Sequence, residues 1–193
     1  MFYTRNFTAA AAIALCSPAW SGDAMKEFDV AEDLSRFIFA DAPVHDDGLP
    51  AFGNAFITQG YIYPAGRLDG GVEGTNSDGT PVWPDQVLGT WTCDGYFVGD
   101  GGHTTTGNMV ISRQVFEFND GSVIITQGPE LADIDKPIIR PITGTTGDFV
   151  GAGTVMEQTM LGMTDGFGVR LQFEIDPVRT QAFITYEDHM RQR

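Results

Sequence analysis

Between Asn108 and Gln127 two runs of alternating residues flank Asn119-Asp120-Gly121. That tripeptide between such runs signals a hairpin, because its residues tolerate the positive φ that matches the twist of paired strands. With side chains alternating at period two, Val110, Ser112, Gln114, Phe116 and Phe118 share one face of the first run, and Met109, Ile111, Arg113, Val115 and Glu117 share the other. A hairpin of this kind commits the chain to antiparallel sheet. Further strands must then cover its apolar face.

The chain supplies them. Ala55–Tyr63, Val87–Val98, Ile138–Thr143, Gly153–Leu161, Val169–Ile175 and Gln181–Tyr186 read as strands, rich in β-branched and aromatic residues and bounded by Gly-rich or Asp/Pro turns. About eight short strands without a long helix predict an all-β fold, a single eight-stranded antiparallel barrel. The interior of such a barrel is wide enough for side chains or one small ligand. Ahead of it, Val30, Leu34, Phe37 and Ile38 recur at helical spacing behind Asp29, with Glu32 three residues on, so a short helix is expected over Phe28–Ala40. Residues 1–21 read as a secretory leader, with Arg5 before an apolar Phe7–Cys16 run and a small-x-small site at Ala19 and Ser21. The expected organisation is a leader over 1–21, a helix and linker over 22–50, and the barrel over 51–193, in an exported protein, periplasmic or secreted.

Charge narrows the partners. The chain carries 26 acidic against 11 basic residues, a formal charge of −15, and loses Arg5 with the leader. That balance repels nucleic acid and anionic lipid, and no run beyond the leader approaches membrane-spanning length, so neither nucleic acid nor a membrane anchor is expected. Past the leader Cys93 is the single cysteine, so core packing must do what a disulfide would do elsewhere. The segment 65–83 is dense in Gly, Asp, Glu and Asn, but its spacing fits no calcium loop, and it reads as a solvated connection. His45, His103 and His189 are dispersed over loops and tail, and there is no nucleophile elbow. Neither a triad nor a histidine metal cluster is expected, and no metal or cofactor.

Two blocks carry a family resemblance: Gly121–Leu131, GSVIITQGPEL, and Ile142–Val155, ITGTTGDFVGAGTV. They resemble the allene oxide cyclase barrel superfamily, to which dirigent proteins are related. There a strand ending in V-Q-G-P is followed by an acidic stretch and then by I-T-G-G-x-G-x-F-x-G-A-x-G. Gln127, Gly128 and Pro129 supply the first element; Ile142, Thr143, Gly144, Gly147, Phe149, Gly151, Ala152 and Gly153 supply the second. The resemblance implies an eight-stranded barrel with an apolar lumen, no cofactor, and a homo-oligomer, dimer or trimer. It also implies that the glycines and Phe149 shape a barrel-closing turn. The plant cyclases carry a first-strand Glu with an Asn two positions on, and a Cys on a neighbouring strand. On the strand read here as first stand Gln59 and Tyr61, and Cys93 lies on a following strand.

If the face of Trp91, Cys93 and Phe97 points inward, the lumen joins these residues to polar groups of other strands. Gln59, Tyr61, Cys93 and Glu157 are the catalytic candidates, and Trp91, Phe97 and Gln127 the substrate-binding ones. A carboxyl or phenol in a dry wall has its charged form disfavoured and keeps a proton ready near neutral pH. Cys93 also reads as a small buried hydrophobe, since the adjacent Asp94 opposes thiolate formation. The leading functional expectation is an exported cyclase- or isomerase-like barrel that folds an apolar small molecule into a productive conformer. The alternatives are a dirigent-like binder that steers another enzyme's reaction, and a structural barrel whose lumen is simply filled.

Overall fold

The computed structural model describes residues 25–164 and 168–175; the expected leader, the strand expected over 181–186 and His189 lie outside them. Among the described residues nine strands form one sheet: β1 Glu27–Glu32, β2 Ile38–Phe39, β3 Ala55–Pro64, β4 Gly89–Phe97, β5 Asn108–Phe118, β6 Val123–Leu131, β7 Ile138–Thr145, β8 Val155–Met163 and β9 Val169–Ile175. All pair antiparallel in the order β1-β9-β8-β7-β6-β5-β4-β3, and β1 pairs with β3 to close an eight-stranded barrel. The short β2 pairs with Phe56 and Ile57 of β3, beyond the end of β1, so β1 and β2 share one position in the wall.

The helix expected over Phe28–Ala40 is corrected: the stretch forms β1, a 3-10 turn at Leu34–Arg36, and β2. β1 is buried on both faces, so it shows none of the alternation that marks a half-buried strand. Pairing with β3 and β9 outweighs the local helical spacing. Asp29 is not a helix cap but accepts from Leu68 N at 2.8 Å, while Asp33 caps the turn by accepting from Ser35 N at 3.0 Å. Closure also needs Gly60, where a β-carbon would collide with the Ala31 carbonyl oxygen across the β1–β3 seam.

The expected solvated connection at 65–83 is corrected as well. Leu68 is fully buried and packs with Ala31 and Tyr63 on the outside of β1 and β3, flanked by Trp83, Val87 and Leu161. Tyr63 Oη donates to Gly74 O at 2.7 Å, and Arg67 lies over the Trp83 ring at 5.0 Å. The segment therefore covers the seam with a small second core.

Inside the barrel one end is filled by rings. Phe28, Phe116 and Phe173 meet pairwise at centroid distances of 4.8 to 5.3 Å. Phe149, on the 3-10 turn Gly147–Phe149, lies 4.8 Å from Phe118 and plugs that end, as the resemblance implies. Gly147 makes the plug possible: its φ is 59°, and Ser122 occupies the place a β-carbon would take. At the other end the loops at 41–50 and 98–104 meet and stack His45 on His103 at 4.3 Å, which corrects the expected dispersion for these two histidines.

Candidate functional site

Toward the end opposite the Phe149 plug, the inward positions turn polar. Register aligns Thr58, Cys93, Gln114 and Thr126 across β3, β4, β5 and β6, all buried. Beside this row Arg140 of β7 is fully buried and Glu130 of β6 nearly so. Arg140 donates from Nη1 to Gly128 O and Pro129 O at 3.1 and 2.7 Å, and from Nη2 to Ser112 O and Ser112 Oγ at 3.1 and 3.0 Å. The Gln127-Gly128-Pro129 element thus has a local purpose, since its carbonyls receive the lumen's guanidinium.

The remaining bonds link that cation to the Glu130 carboxylate by two routes. On the longer one Arg140 Nε donates to Thr126 Oγ1 at 3.2 Å, Thr126 to Gln114 Oε1 at 3.5 Å, Gln114 to Gln158 Oε1 at 3.1 Å, and Gln158 to Glu130 Oε2 at 2.9 Å. On the shorter one Ser112 Oγ accepts from Arg140 and donates to Glu130 Oε1. Every hydrogen points from guanidinium toward carboxylate, so each bond polarises the next. Arg140 and Glu130 themselves approach to 3.9 Å. Cys93 Sγ lies 3.4 Å from Glu130 Oε1 as a donor; burial first, and then the Glu130 charge, push its thiol well above the ordinary range. Both influences oppose the thiolate form that a nucleophile needs.

A second acid stands nearer the opening. Glu32, the last residue of β1, is 4 % exposed; its carboxyl accepts from the Thr58 hydroxyl and, at 2.8 Å, from Val169 N. Burial, reinforced by Glu130, pushes it up to about 7 despite those two bonds. Glu32, Cys93 and Trp91 line a mouth cavity of about 30 Å³ ringed by Phe37, Phe56 and Phe97, which is room for one water. Trp91 is buried in the same wall, and its Nε1 has no hydrogen-bond partner among the described residues. Glu32 and Val169 also border an outer groove of about 480 Å³ lined by Ser35, Thr75 and Arg170, so Glu32 stands at the partition between lumen and exterior.

Of the residues singled out in the sequence, Trp91, Cys93 and Phe97 point inward and come together with Glu32 at this cavity. Gln59, Tyr61, Gln127 and Glu157 do not join them, and their expected lumen placement is corrected. Gln59 bonds Arg36 and Thr92 on the outer wall, and Tyr61 Oη donates to Gly79 O at 2.8 Å. Gln127 is exposed, and Glu157 lies outside beside Thr159 and Gln172. Each is one residue out of step with an inward neighbour: Thr58 and Gly60, Thr126, and Met156 and Gln158. The residues that sequence reasoning missed are Glu32, Ser112, Gln114, Glu130, Arg140 and Gln158. Two had a visible signal, because Ser112 and Gln114 share the parity of Phe116 and Phe118. Arg140, a lone charge inside Ile138-Ile139-Arg140-Pro141-Ile142, was a weaker one.

The strand order changes the family comparison too. The first barrel strand is β1, not Ala55–Tyr63, and it ends on an inward Glu, with Leu34 two positions on. No family model matches the chain, and no curated protein matches it in sequence. Among solved structures, the pterocarpan synthase dirigent protein PsPTS1 matches with a TM-score of 0.53 at 12% identity, over 77% of this chain and 89% of that one. At that identity the likeness is one of fold alone: the chain closes an eight-stranded antiparallel barrel similar to that of this dirigent protein.

Proposed function

We propose that the protein steers the cyclisation or isomerisation of a small, largely apolar molecule bearing an acceptor oxygen, with Glu32 as its proton carrier. The observation that carries this reading is the Glu32 carboxyl itself, 4 % exposed at the barrel mouth and pushed up to about 7. An acid titrating there is part protonated at neutral pH, so it can hand a proton to a substrate oxygen and its carboxylate can take one back. Trp91 Nε1 offers a second donor, and Phe37, Phe56 and Phe97 offer apolar faces that fix a conformer. The first-strand acid that the resemblance calls for is thus supplied by Glu32, although Leu34 replaces its Asn companion. A ligand reaches the carboxyl by displacing Phe37 at the mouth or by lodging in the outer groove; both routes end at Glu32. Export, from the reading of residues 1–21, and assembly as a dimer or trimer, from the resemblance, belong to the same proposal.

The test is product analysis with a panel of short-lived allene oxides, polyenes and phenolic quinone methides, using wild type and Glu32→Gln. Stereochemically biased product with wild type and racemic product with Glu32→Gln supports the reading; product ratios equal to buffer across the panel sink it. Adding an external oxidant to phenol precursors separates the steering of another enzyme's reaction from catalysis by the barrel alone. The small mouth cavity favours a second reading, a structural barrel with a filled lumen. In that case no panel member shifts the melting temperature.

A further inference from the structure

Away from Glu32, the loops that follow β2 and β4 form a separate feature. They are braced against each other: Gly102 N donates to Pro50 O at 2.7 Å and Gly53 N to Phe97 O at 2.8 Å, while Ala51 N to Pro43 O at 3.0 Å ties the first loop to itself. Gly101, at φ 58°, lies so close to Pro50 and Ala51 that any β-carbon would collide with their backbone. On this base the rings of His45 and His103 stack at 4.3 Å and 25°, although 58 positions separate them in sequence.

Their hydrogen bonds fix which nitrogen of each ring is bare. His45 Nε2 lies 3.1 Å from the Asp100 carbonyl oxygen, and His103 Nε2 lies 2.8 Å from Asp47 Oδ2. A carbonyl and a carboxylate oxygen accept and cannot donate, so Nε2 of each ring carries a proton, and in the neutral tautomer that binds a metal the lone pair is at Nδ1. One ligating atom from each of His45, His103 and Asp100 lies within 4.8 Å of the other two. Metal-bound imidazoles are held in this way, with the second ring N–H given to a carboxylate or a backbone carbonyl.

We infer that His45, His103 and the Asp100 carboxylate form a site for a late first-row divalent cation such as zinc or copper, with Asp47 as the positioning residue for His103. Two imidazoles and one carboxylate suit these ions, whereas calcium and magnesium prefer all-oxygen shells. Nitrogens sharing one tetrahedral zinc stand about 3.3 Å apart, given bonds of about 2.0 Å. Modest rotation of two partly exposed rings brings the donors to that spacing, and water completes the open positions. Because the loop that follows Phe97 and the loop that follows Phe39 are the two joined, a bound ion clips together chain that borders the mouth. The inference is independent of any chemistry at Glu32.

The experiment is a zinc titration of chelator-treated, untagged full-length protein, read by calorimetry and by the imidazole resonances in NMR. One saturable equivalent is expected, with the signals of both His45 and His103 shifting together. His45→Ala and His103→Ala each weaken binding at least about 10-fold, and Asp47→Asn weakens it about 10-fold without moving the melting temperature of the metal-free protein. His189→Ala leaves binding unchanged, and excess calcium does not compete. No saturable event up to millimolar zinc overturns the inference, and so does binding that survives both histidine substitutions. The wild-type resonances decide the matter even if a loop variant folds poorly.

Discussion

The two halves of the lumen share one wall and one strand parity, yet one is filled by apolar rings and the other sets a buried polar network beneath the mouth rings Phe37, Phe56 and Phe97. At the plugged end Phe28, Phe116, Phe173, Phe118 and Phe149 interlock edge to face and stacked, and each ring is stabilising wherever water is excluded. At the mouth end the same inward positions hold Arg140, Glu130, Gln114, Gln158, Thr126 and Ser112, whose desolvation is offset through a closed set of directed hydrogen bonds. A uniformly apolar filling would hold the barrel at least as well, because buried ion pairs are often no more stabilising than hydrophobic isosteres. The polar half is therefore where function is to be sought. The apolar half explains how the barrel carries the cost.

Substitutions sharpen this contrast, and the largest effect is expected at the centre of the network. Arg140→Met strands the Glu130 carboxylate and the Gly128 and Pro129 carbonyls, costing about 5 kcal/mol in urea unfolding, and adding Glu130→Gln recovers part of the loss. A cost below that of a surface substitution would show that the network is not buried as described. Phe116→Ala opens a hole in the ring cluster and costs about 4 kcal/mol by the same assay. It should leave the titration of Glu32 unmoved, which separates the halves.

Glu32→Gln acts through pH. The folded-state value of about 7 lies above the ordinary 4.5, so the folded protein binds the extra proton between those limits. Its contribution is fully present below pH 4.5 and lost as pH rises to 7. At about 1.4 kcal/mol per pH unit, wild type loses about 3 kcal/mol relative to Glu32→Gln across that window. Parallel stability curves for the two proteins from pH 4.5 to 7 would refute the coupling. The smallest effect belongs to the outer wall, where Asp94→Asn breaks the half-exposed pair with Arg113 and costs under about 1 kcal/mol, vanishing in high salt.

Much of the scaffold was legible because it is written in local pattern. Asn119-Asp120-Gly121 set the β5–β6 hairpin, and the glycines around Phe149 marked the plug. What was lost depended on closure. β1 is sandwiched between the lumen and the 65–83 segment, so Phe28 to Glu32 carries no one-sided alternation, and its spacing matched a helix as well as a strand. Placing β3 first then hid the acid that closes β1. The wrong face was chosen for Gln59, Tyr61, Gln127 and Glu157 for a related reason, since a strand considered alone does not say which face turns inward. Trp91, Cys93 and Phe97 share one face of β4, so the single assumption that this face turns inward placed all three together. The pairing of His45 with His103 had no local signal, for it arises where two loops are braced across β2, β3 and β4.

The most direct test of the account is the protonation of Glu32 itself, followed through the side-chain carboxyl carbon in NMR, with Glu32→Gln to assign the signal. A midpoint near 7 is the predicted result, and a midpoint near 4.5, the value of a carboxyl in water, would contradict the reading of Glu32 as the mouth's proton carrier.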